Sequence, residues 1–306
     1  MDKFENLLVC MDLTEMDHFL IKYANFLVDK ISPKKIYFLH LLQSFDLPDE
    51  ILDDLPEMEK PLTEIIREDL QKKVNREFFP SDGIDVLVRV EEGLKSDTLL
   101  EFTRDHKINL TIFGKKVGYV GAGSLPHRVM PLTPSSILLV NTMSEPRLEK
   151  ILVRVDFSKM SEIAMKTANM LANHTGAGLS SFHAYKIPIS HFPQYSPEDE
   201  KRLKEKMTKY GKKEYDKFMK KLNLSIDEIP CSYVYDKKYD EAHLLYHHGL
   251  VNSIDLIVIG SKVKSELANI ILDRTSEDLA DAEKNINVLI VKDRKQTLGF
   301  LEAIFK

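Results

Sequence analysis

Two carboxylates in the sequence directly follow short apolar runs. If these runs are strands of a parallel α/β fold, the carboxylates lie at the strand ends, where such folds bind ligands. Asp12 and Asp156 each end such a run, and a hydroxyl follows two residues later, Thr14 or Ser158. A carboxylate there can meet a sugar hydroxyl or a metal ion. The same pair can instead form an Asx turn that ends the strand, with the hydroxyl capping the next helix. Both interpretations stay open on the sequence.

A glycine-rich stretch is the second feature with chemical potential. Gly114 ends an apolar run, and Gly118, Gly121 and Gly123 follow it before Ser124. Backbone N–H groups in such a loop, with a helix N-terminus and a hydroxyl behind them, can hold a phosphate; a flexible connection is the alternative. The order Gly-x-x-Gly-x-Gly is not the dinucleotide fingerprint, and the sequence contains no Gly-x-x-x-x-Gly-Lys-Ser/Thr phosphate loop.

Metal and catalytic patterns are weaker. His243 and His247 are spaced to share one face of a predicted helix that also carries His248, but no glutamate completes a His-Glu-x-x-His motif. We favour a partly exposed helix face over a metal site. Ser124 and His127 lack the Gly-x-Ser-x-Gly elbow of a hydrolase. We therefore expect a protein that is not an enzyme and holds no metal.

These features recur because the chain contains two copies of one module. Residues 5–14 align with 149–158, which lie 144 positions later, and residues 110–117 align with 256–263, which lie 146 positions later. A duplicated module of about 145 residues explains the length of 306. We predict two domains, 1–144 and 145–306, the second with a C-terminal tail.

Each copy alternates short β-rich runs with longer amphipathic segments, the pattern of a doubly wound α/β fold. The apolar runs continue over successive residues, which favours parallel strands buried on both faces. The predicted strands are 6–12, 35–42, 84–90, 109–114 and 136–141, then 150–156, 178–185, 229–235, 254–260 and 287–292. The predicted helices are 16–30, 57–79, 95–106 and 124–132, then 160–174, 197–223, 239–250 and 265–284.

Composition narrows the functional classes. The chain is 43% hydrophobic and 30% charged, with a formal net charge of −5, which argues against a nucleic-acid or membrane partner for the whole protein. Cys10 and Cys231 are the two cysteines, too few for a disulfide framework, and no apolar run is long enough to span a bilayer. We expect a cytoplasmic protein.

The predicted helix over 197–223 is dense in lysine. We expect it to present a solvated basic face, with Leu203, Met207, Tyr210 and further apolar residues meeting the sheet. A basic docking surface is the alternative. The corresponding part of the first copy, residues 46–59, is acidic.

The ordered motifs resemble the universal stress protein family in its tandem form, over nearly the whole chain. The matching residues are Asp12-Leu13-Thr14, His40, Gly114, Gly123-Ser124, Arg128-Val129 and 137–140, and then Asp156-Phe157-Ser158, His183, Gly260-Ser261 and 288–291. The resemblance implies two five-stranded domains of the adenine nucleotide alpha hydrolase-like fold, related by a pseudo-two-fold axis. It also implies that they pair through their last strands as an intramolecular pseudo-dimer, which leaves further dimerisation open.

Family members with an intact motif bind ATP, so the resemblance implies a nucleotide site in domain 1. Its residues would be Asp12, Leu41 on the second strand near the adenine, and Gly114, Val117, Gly118, Gly121, Gly123 and Ser124 around the phosphates. Val117 replaces the second glycine of the motif. In domain 2, Val263 does the same and Asp273-Arg274 replaces Gly-Ser, so we expect no nucleotide there.

Two functions follow from this resemblance. The first is a stress-response or signalling protein that binds ATP or a related nucleotide in domain 1 without fast catalysis. The second is a nucleotide-independent interaction protein in which both sites have decayed. Either function leaves room for a protein partner that the sequence does not identify.

Overall fold

The computed structural model describes residues 4–43, 60–115, 125–141, 145–187, 196–238, 240–261 and 286–293. The chain divides into two compact units, with the boundary between Pro146 and Arg147. The predicted helix at 265–284 and the C-terminal tail lie outside the described residues.

The first unit contains a parallel sheet with helices in the connections. Its elements are β1 (Asn6–Met11), α1 (Met16–Ile31), β2 (Lys35–Leu42), α2 (Leu62–Glu77), β3 (Asp85–Glu92), α3 (Lys95–Asp105), β4 (Leu110–Lys115), α4 (Leu125–Val129) and β5 (Ser136–Asn141). β1 pairs with β2 and β4, β2 with β3, and β4 with β5, all in parallel, so the strand order is β3-β2-β1-β4-β5.

The second unit repeats this arrangement. Its elements are β6 (Lys150–Arg154), α5 (Lys159–Thr175), β7 (Gly178–Tyr185), α6 (Pro197–Leu222), β8 (Cys231–Tyr235), α7 (Glu241–Val251), β9 (Leu256–Gly260) and β10 (Asn287–Val291). The parallel pairings give the order β8-β7-β6-β9-β10, the same topology as the first unit. The predicted doubly wound α/β fold is confirmed.

Burial explains why the apolar runs become central strands. Leu7, Leu8 and Val9 in β1 are completely buried, and so are the aligned Ile151, Leu152 and Val153 in β6. Successive strand residues point to opposite faces, so both faces of each sheet are covered. The first strand of each copy is therefore the centre of its core.

A repeated hydrogen-bond anchor fixes where the first strand of each copy begins. The Asn109 side-chain oxygen accepts hydrogen bonds from the backbone N–H groups of Glu5 and Asn6, at 3.1 and 2.9 Å. Asp255, which lies 146 positions after Asn109, accepts from the two N–H groups at the start of β6, each at 2.9 Å. The Asn109 amide in the first unit and the Asp255 carboxylate in the second unit thus accept equivalent pairs of hydrogen bonds.

Helix α6 departs from the prediction in one detail. Tyr210 was expected to face the sheet, but it is 59% exposed. The neighbouring Gly211 is buried instead, where an added Cβ would lie 2.9 Å from the Tyr233 ring. Since consecutive helical residues point about 100° apart, burying Gly211 turns Tyr210 towards solvent.

Candidate functional site

The strand order of the first unit reverses between β1 and β4, so the crevice that α/β folds use for ligands opens at the carboxyl ends of these strands. Asp12 follows β1, and Gly114 lies near the end of β4. Leu41 follows His40, the register partner of Met11, so Leu41 is at the same edge. The structure thus brings three predicted residues to one edge. The other predicted site residues, Val117, Gly118, Gly121, Gly123 and Ser124, lie outside the described residues.

The turn after β1 is an Asx turn. The Asp12 carboxylate accepts hydrogen bonds from the N–H and the hydroxyl of Thr14, at 3.1 and 2.5 Å. Leu13 between them has a φ of +62°, a left-handed conformation that side chains rarely adopt. The Thr14 hydroxyl accepts from the N–H of Met16, the first residue of α1, at 3.2 Å. The structural interpretation of this pair therefore holds, and Asp12 remains exposed at the edge.

A buried carboxylate supports this turn from below. The Asp17 carboxylate accepts the backbone N–H groups of Asp12 and Leu13, at 2.9 and 3.1 Å, and lies 3.5 Å from the Lys73 ammonium. Its burial raises the pKa of Asp17, while the Asp12 N–H and the Lys73 charge act in the opposite direction. Asp17 was not predicted from the sequence; its only signal was an acidic residue in the first turn of a helix.

The motif histidines tie the second strand of each copy to the end of the first. His40 Nδ1 donates to the Met11 carbonyl at 3.0 Å, and His183 Nδ1 donates to the Val155 carbonyl at 2.8 Å. His40 is 8% exposed. Each carbonyl belongs to the residue just before the strand-end aspartate, so the histidine positions that aspartate.

The strand-end carboxylate of the second unit is held in an ion network. Arg154, at the end of β6, donates to both carboxylate oxygens of Glu241, at 2.7 and 3.0 Å, and also to Asp156. Burial alone would raise the pKa of Asp156, but the Arg154 charge and hydrogen bonds from Ser158 and Ser161 outweigh burial and hold that pKa well below its ordinary value. Arg154 and Glu241 are only 17% and 18% exposed, so this pair is largely shielded from solvent, whereas Asp156 is 39% exposed.

The residues aligned with this arginine–glutamate pair in the first unit cannot form the same network. The repeat aligns Cys10 with Arg154, and Lys95, the first residue of α3, with Glu241, the first residue of α7. Burial raises the pKa of the Cys10 thiol, which therefore stays neutral. Sequence reasoning missed the network, although an arginine inside an apolar strand was a visible signal.

Both motif glycines lie in close contact with the first helix of their unit. A Cβ at Gly260 would lie 2.4 Å from the backbone carbonyl oxygen of Met160, in the first turn of α5. A Cβ at Gly114 would lie 2.3 Å from Cγ of Met16, in the first turn of α1. In both units the missing side chain lets the first helix approach the end of the fourth strand, a role that the sequence did not predict.

Lys115 is a further residue at this edge that the sequence analysis did not select. It ends β4 opposite Asn141 of β5. Burial lowers the pKa of its ammonium to about 8. A lysine directly after the glycine that closes a strand was the only available signal.

The remaining candidates form no metal site in the described part of the chain. His243 and His247 are exposed, with ring centroids 6.1 Å apart, and no group of three or more potential ligands occurs among the described residues. Cys10 and Cys231 are free thiols, and burial raises the pKa of Cys231 to about 12.

Comparison with known proteins matches residues 147–292 to the model of the universal stress protein family. No curated protein matches the chain. Among solved structures, a functionally unknown protein from Pseudomonas aeruginosa PAO1 is 14% identical over 98% of this chain and 96% of its own, with a TM-score of 0.63. A universal stress protein from Archaeoglobus fulgidus is 15% identical over 94% of this chain and 96% of its own, with a TM-score of 0.60. Both similarities extend over the two units and concern the fold.

No helix among the described residues combines sufficient length with sufficient apolar character to cross a membrane.

Proposed function

Since residues 147–292 form a domain of the universal stress protein family, we propose that the chain is a stress-response protein whose first unit binds ATP or a related nucleotide without fast catalysis. The site lies at the carboxyl edge of β1 and β4. Asp12 and Leu41 face the nucleoside, and the glycine-rich stretch from Gly114 to Ser124 takes the phosphates.

The contrast between the two strand-end carboxylates carries this proposal. In the second unit, Arg154 neutralises Asp156 and ties it to Glu241. In the first unit the neutral Cys10 stands at the aligned position, and Asp12 is exposed at the edge. Cys10 supplies no cation at the position of Arg154, and a sugar hydroxyl can donate to an exposed carboxylate, so we favour the first unit as the nucleotide site.

The second unit is proposed to bind no nucleotide. Asp156, just after the end of β6, is already paired with Arg154, which Glu241 holds in a bidentate contact. A sugar hydroxyl would have to compete with that cation for the carboxylate. This reason is independent of Asp273, which the sequence places at the phosphate position.

Binding without fast catalysis is favoured by the arrangement of the polar groups at the first edge. The Asp12 carboxylate accepts from Thr14, and His40 Nδ1 donates to a backbone carbonyl. These bonds hold the two groups in turn-forming roles, whereas a general base needs to reach a nucleophile.

The test is a titration of labelled ATP onto the full chain and onto matched Asp12→Ala and Asp156→Ala variants. We expect one saturable site, with Asp12→Ala weakening binding by about tenfold, the effect of ~1.4 kcal/mol, and Asp156→Ala leaving it unchanged. Circular dichroism checks that both variants fold. Absence of saturable binding to the wild type would favour the nucleotide-independent interaction protein instead.

A further inference from the structure

Helix α6 of the second unit carries a straight row of exposed basic residues. Their spacings alternate between four and three, which keeps them on one side of a helix. The basic row of α6 consists of Arg202, Lys206, Lys209, Lys213, Lys217 and Lys220. At 1.5 Å per residue the row is about 27 Å long.

The packing of α6 turns this row away from the second unit. Consecutive helical residues point about 100° apart, so the buried residues of the helix lie on the side opposite the basic row. They are Gly211, Tyr215, Phe218 and Met219. An added Cβ at Gly211 would lie 2.9 Å from the Tyr233 ring of β8, so the helix lies close against the sheet. The rotation of α6 is therefore fixed, with the basic row outermost.

The centre of the basic row is not neutralised within the helix. Between positions 206 and 222 the helix holds seven lysines and two carboxylates. These carboxylates, Glu214 and Asp216, pair with Lys217 and Lys220 at 2.7 Å. The other end is neutralised in the same way, by Asp199. The three central lysines form no ion pair with the described part of the chain: Lys206, Lys209 and Lys213.

The composition of the row favours a lipid surface over a protein partner. Protein interfaces depend on buried aromatic and aliphatic anchors and are depleted in lysine. The row contains five lysines, one arginine and no apolar residue. Tyr210 lies beside its centre and is 59% exposed. An amphipathic ring next to lysines suits the headgroup region of a bilayer, where tyrosine is enriched.

The shape of the row favours a plane over a nucleic acid. In a duplex the phosphates border grooves that wind around the axis, so a straight row crosses them only at intervals. Single strands are held in grooves with aromatic platforms, whereas the basic row is the outermost ridge of a helix. A planar surface of anionic headgroups lies under the whole length of the row at once.

We propose that the basic row of α6 docks this protein peripherally onto membrane surfaces that contain anionic phospholipids. The lysine ammonium groups contact the headgroups, and Tyr210 lies at headgroup level. The net charge of −5 does not prevent this docking, because the screening length at physiological ionic strength is about 8 Å and only charges near the row act on the surface. The proposal does not depend on nucleotide binding.

The test is co-sedimentation of the full-length protein with vesicles of phosphatidylcholine, with or without phosphatidylserine. Each basic residue near an anionic lipid surface raises binding by roughly fivefold. The triple variant Lys206→Gln, Lys209→Gln, Lys213→Gln should therefore weaken partition onto phosphatidylserine vesicles by about tenfold or more. The matched control changes three exposed lysines on other helices, reduces the net charge equally and should leave partition almost unchanged. It is Lys22→Gln, Lys95→Gln, Lys166→Gln.

A variant that should gain binding guards against misfolding as an explanation. The double variant Glu214→Gln, Asp216→Asn releases Lys217 and Lys220 from their partners. These exposed pairs contribute little to stability, so the helix should stay folded, which circular dichroism checks. Partition onto phosphatidylserine vesicles should rise by about threefold or more, since the released lysines can contact headgroups.

A fluorescent reporter identifies the surface that touches the lipid. The chain contains no tryptophan, so Tyr210→Trp introduces a single one beside the basic row. Its emission should shift to shorter wavelength with phosphatidylserine vesicles and not with phosphatidylcholine alone. Phe79→Trp is the control, since Phe79 is 71% exposed in the first unit and its replacement should show no shift.

Three results would overturn the proposal. The first is equal partition of the wild type and both triple variants. The second is equal binding to vesicles with and without phosphatidylserine, which would show that charge does not drive the contact. The third is binding of a labelled oligonucleotide that only the α6 triple variant loses, with no binding to vesicles, which would assign the row to a nucleic acid.

Salt dependence supplies a further check. Partition of the wild type should fall by about fivefold or more between 0.1 and 1 M salt, because the screening length shrinks from ~10 to ~3 Å. Partition that does not change with salt would contradict an electrostatic contact through the basic row.

Discussion

Replacing Arg154 with methionine removes the cation that holds two carboxylates at the carboxyl edge of the second unit. Methionine keeps most of the aliphatic volume of the arginine and adds no polar group. The variant therefore removes the shared cation from Glu241, which is 18% exposed, and from the more accessible Asp156, which is 39% exposed. The perturbation isolates the ion network from packing.

The expected cost follows from the burial of the network. Removing one partner of a fully buried pair costs about 3–5 kcal/mol, and exposed pairs contribute about 0–1 kcal/mol. Arg154 is 17% exposed and makes a bidentate contact with Glu241. We expect Arg154→Met to destabilise the second unit by ~3 kcal/mol. Glu241→Gln should cost only ~1 kcal/mol, because Arg154 keeps Asp156 as its partner.

The assay is native-state hydrogen exchange of the full chain, read by mass spectrometry on peptides that cover β6 and α7. It reports the opening free energy of the second unit without requiring two-state unfolding of a two-unit chain. Peptides that cover β1 and α3 are the internal control. The double variant completes a mutant cycle, and we expect a coupling energy of about 1–2 kcal/mol.

The pH dependence has a definite sign. Because the folded pKa of Asp156 lies below its unfolded value of about 3.9, its contribution to stability is present above that value and declines as the pH falls towards the folded pKa. In Arg154→Met the cation is absent, so burial raises this pKa. The penalty of the substitution should therefore be largest near pH 7 and shrink towards about pH 3.

If the losses of stability in the two single variants add up to that of the double variant within about 0.5 kcal/mol, the reasoning is refuted. So would a penalty that is the same at both pH values. Either result would mean that solvent screens the network despite its low exposure.

Further variants at four positions test the packing and the hydrogen bonds that position the two edges. Gly260→Ala should destabilise the second unit by about 3 kcal/mol, because the new methyl group meets a rigid backbone carbonyl. Gly114→Ala should destabilise the first unit by only ~1 kcal/mol, because there the methyl group meets a movable methionine side chain. Equal losses of stability in urea unfolding would contradict this. Asp17→Ala should cost about 2–3 kcal/mol because it leaves two backbone N–H groups of the turn after β1 without an acceptor, which faster exchange of those amides would reveal. Asp255→Asn should leave stability almost unchanged, since an asparagine already accepts the same two hydrogen bonds in the first unit. Asp255→Ala removes the acceptor and should cost ~1–2 kcal/mol. A large effect of Asp255→Asn on the thermal midpoint would show that the charge matters.

Local patterns were sufficient to predict the elements and their order. β2 and β5 span the predicted residues 35–42 and 136–141, and α6 ends one residue before its predicted limit. The periodicity of strands and helices and the residues that form turns depend only on neighbouring residues. The internal repeat showed each pattern a second time. The strand-end aspartates were predicted in the same way, because the carboxyl edge of a parallel sheet follows from the order of the elements.

Contacts between distant residues could not be predicted in this way. Arg154 and Glu241 are separated by 87 positions, and the residues around either one do not indicate that the two are in contact. The rotation of α6 that buries Gly211 and exposes Tyr210 depends on where the Tyr233 ring lies. Pairings of this kind are decided by helix rotation and packing across the whole unit.

The sequence by itself determined that this protein is a duplicated α/β module with a carboxylate at the end of each first strand, since these features depend on short-range periodicity and on the repeat. Only the tertiary structure decided what surrounds each carboxylate: a hydroxyl turn supported by a buried aspartate at Asp12, and an arginine network at Asp156. The physical reason is that the charge environment of a side chain is set by groups brought within a few ångströms by folding.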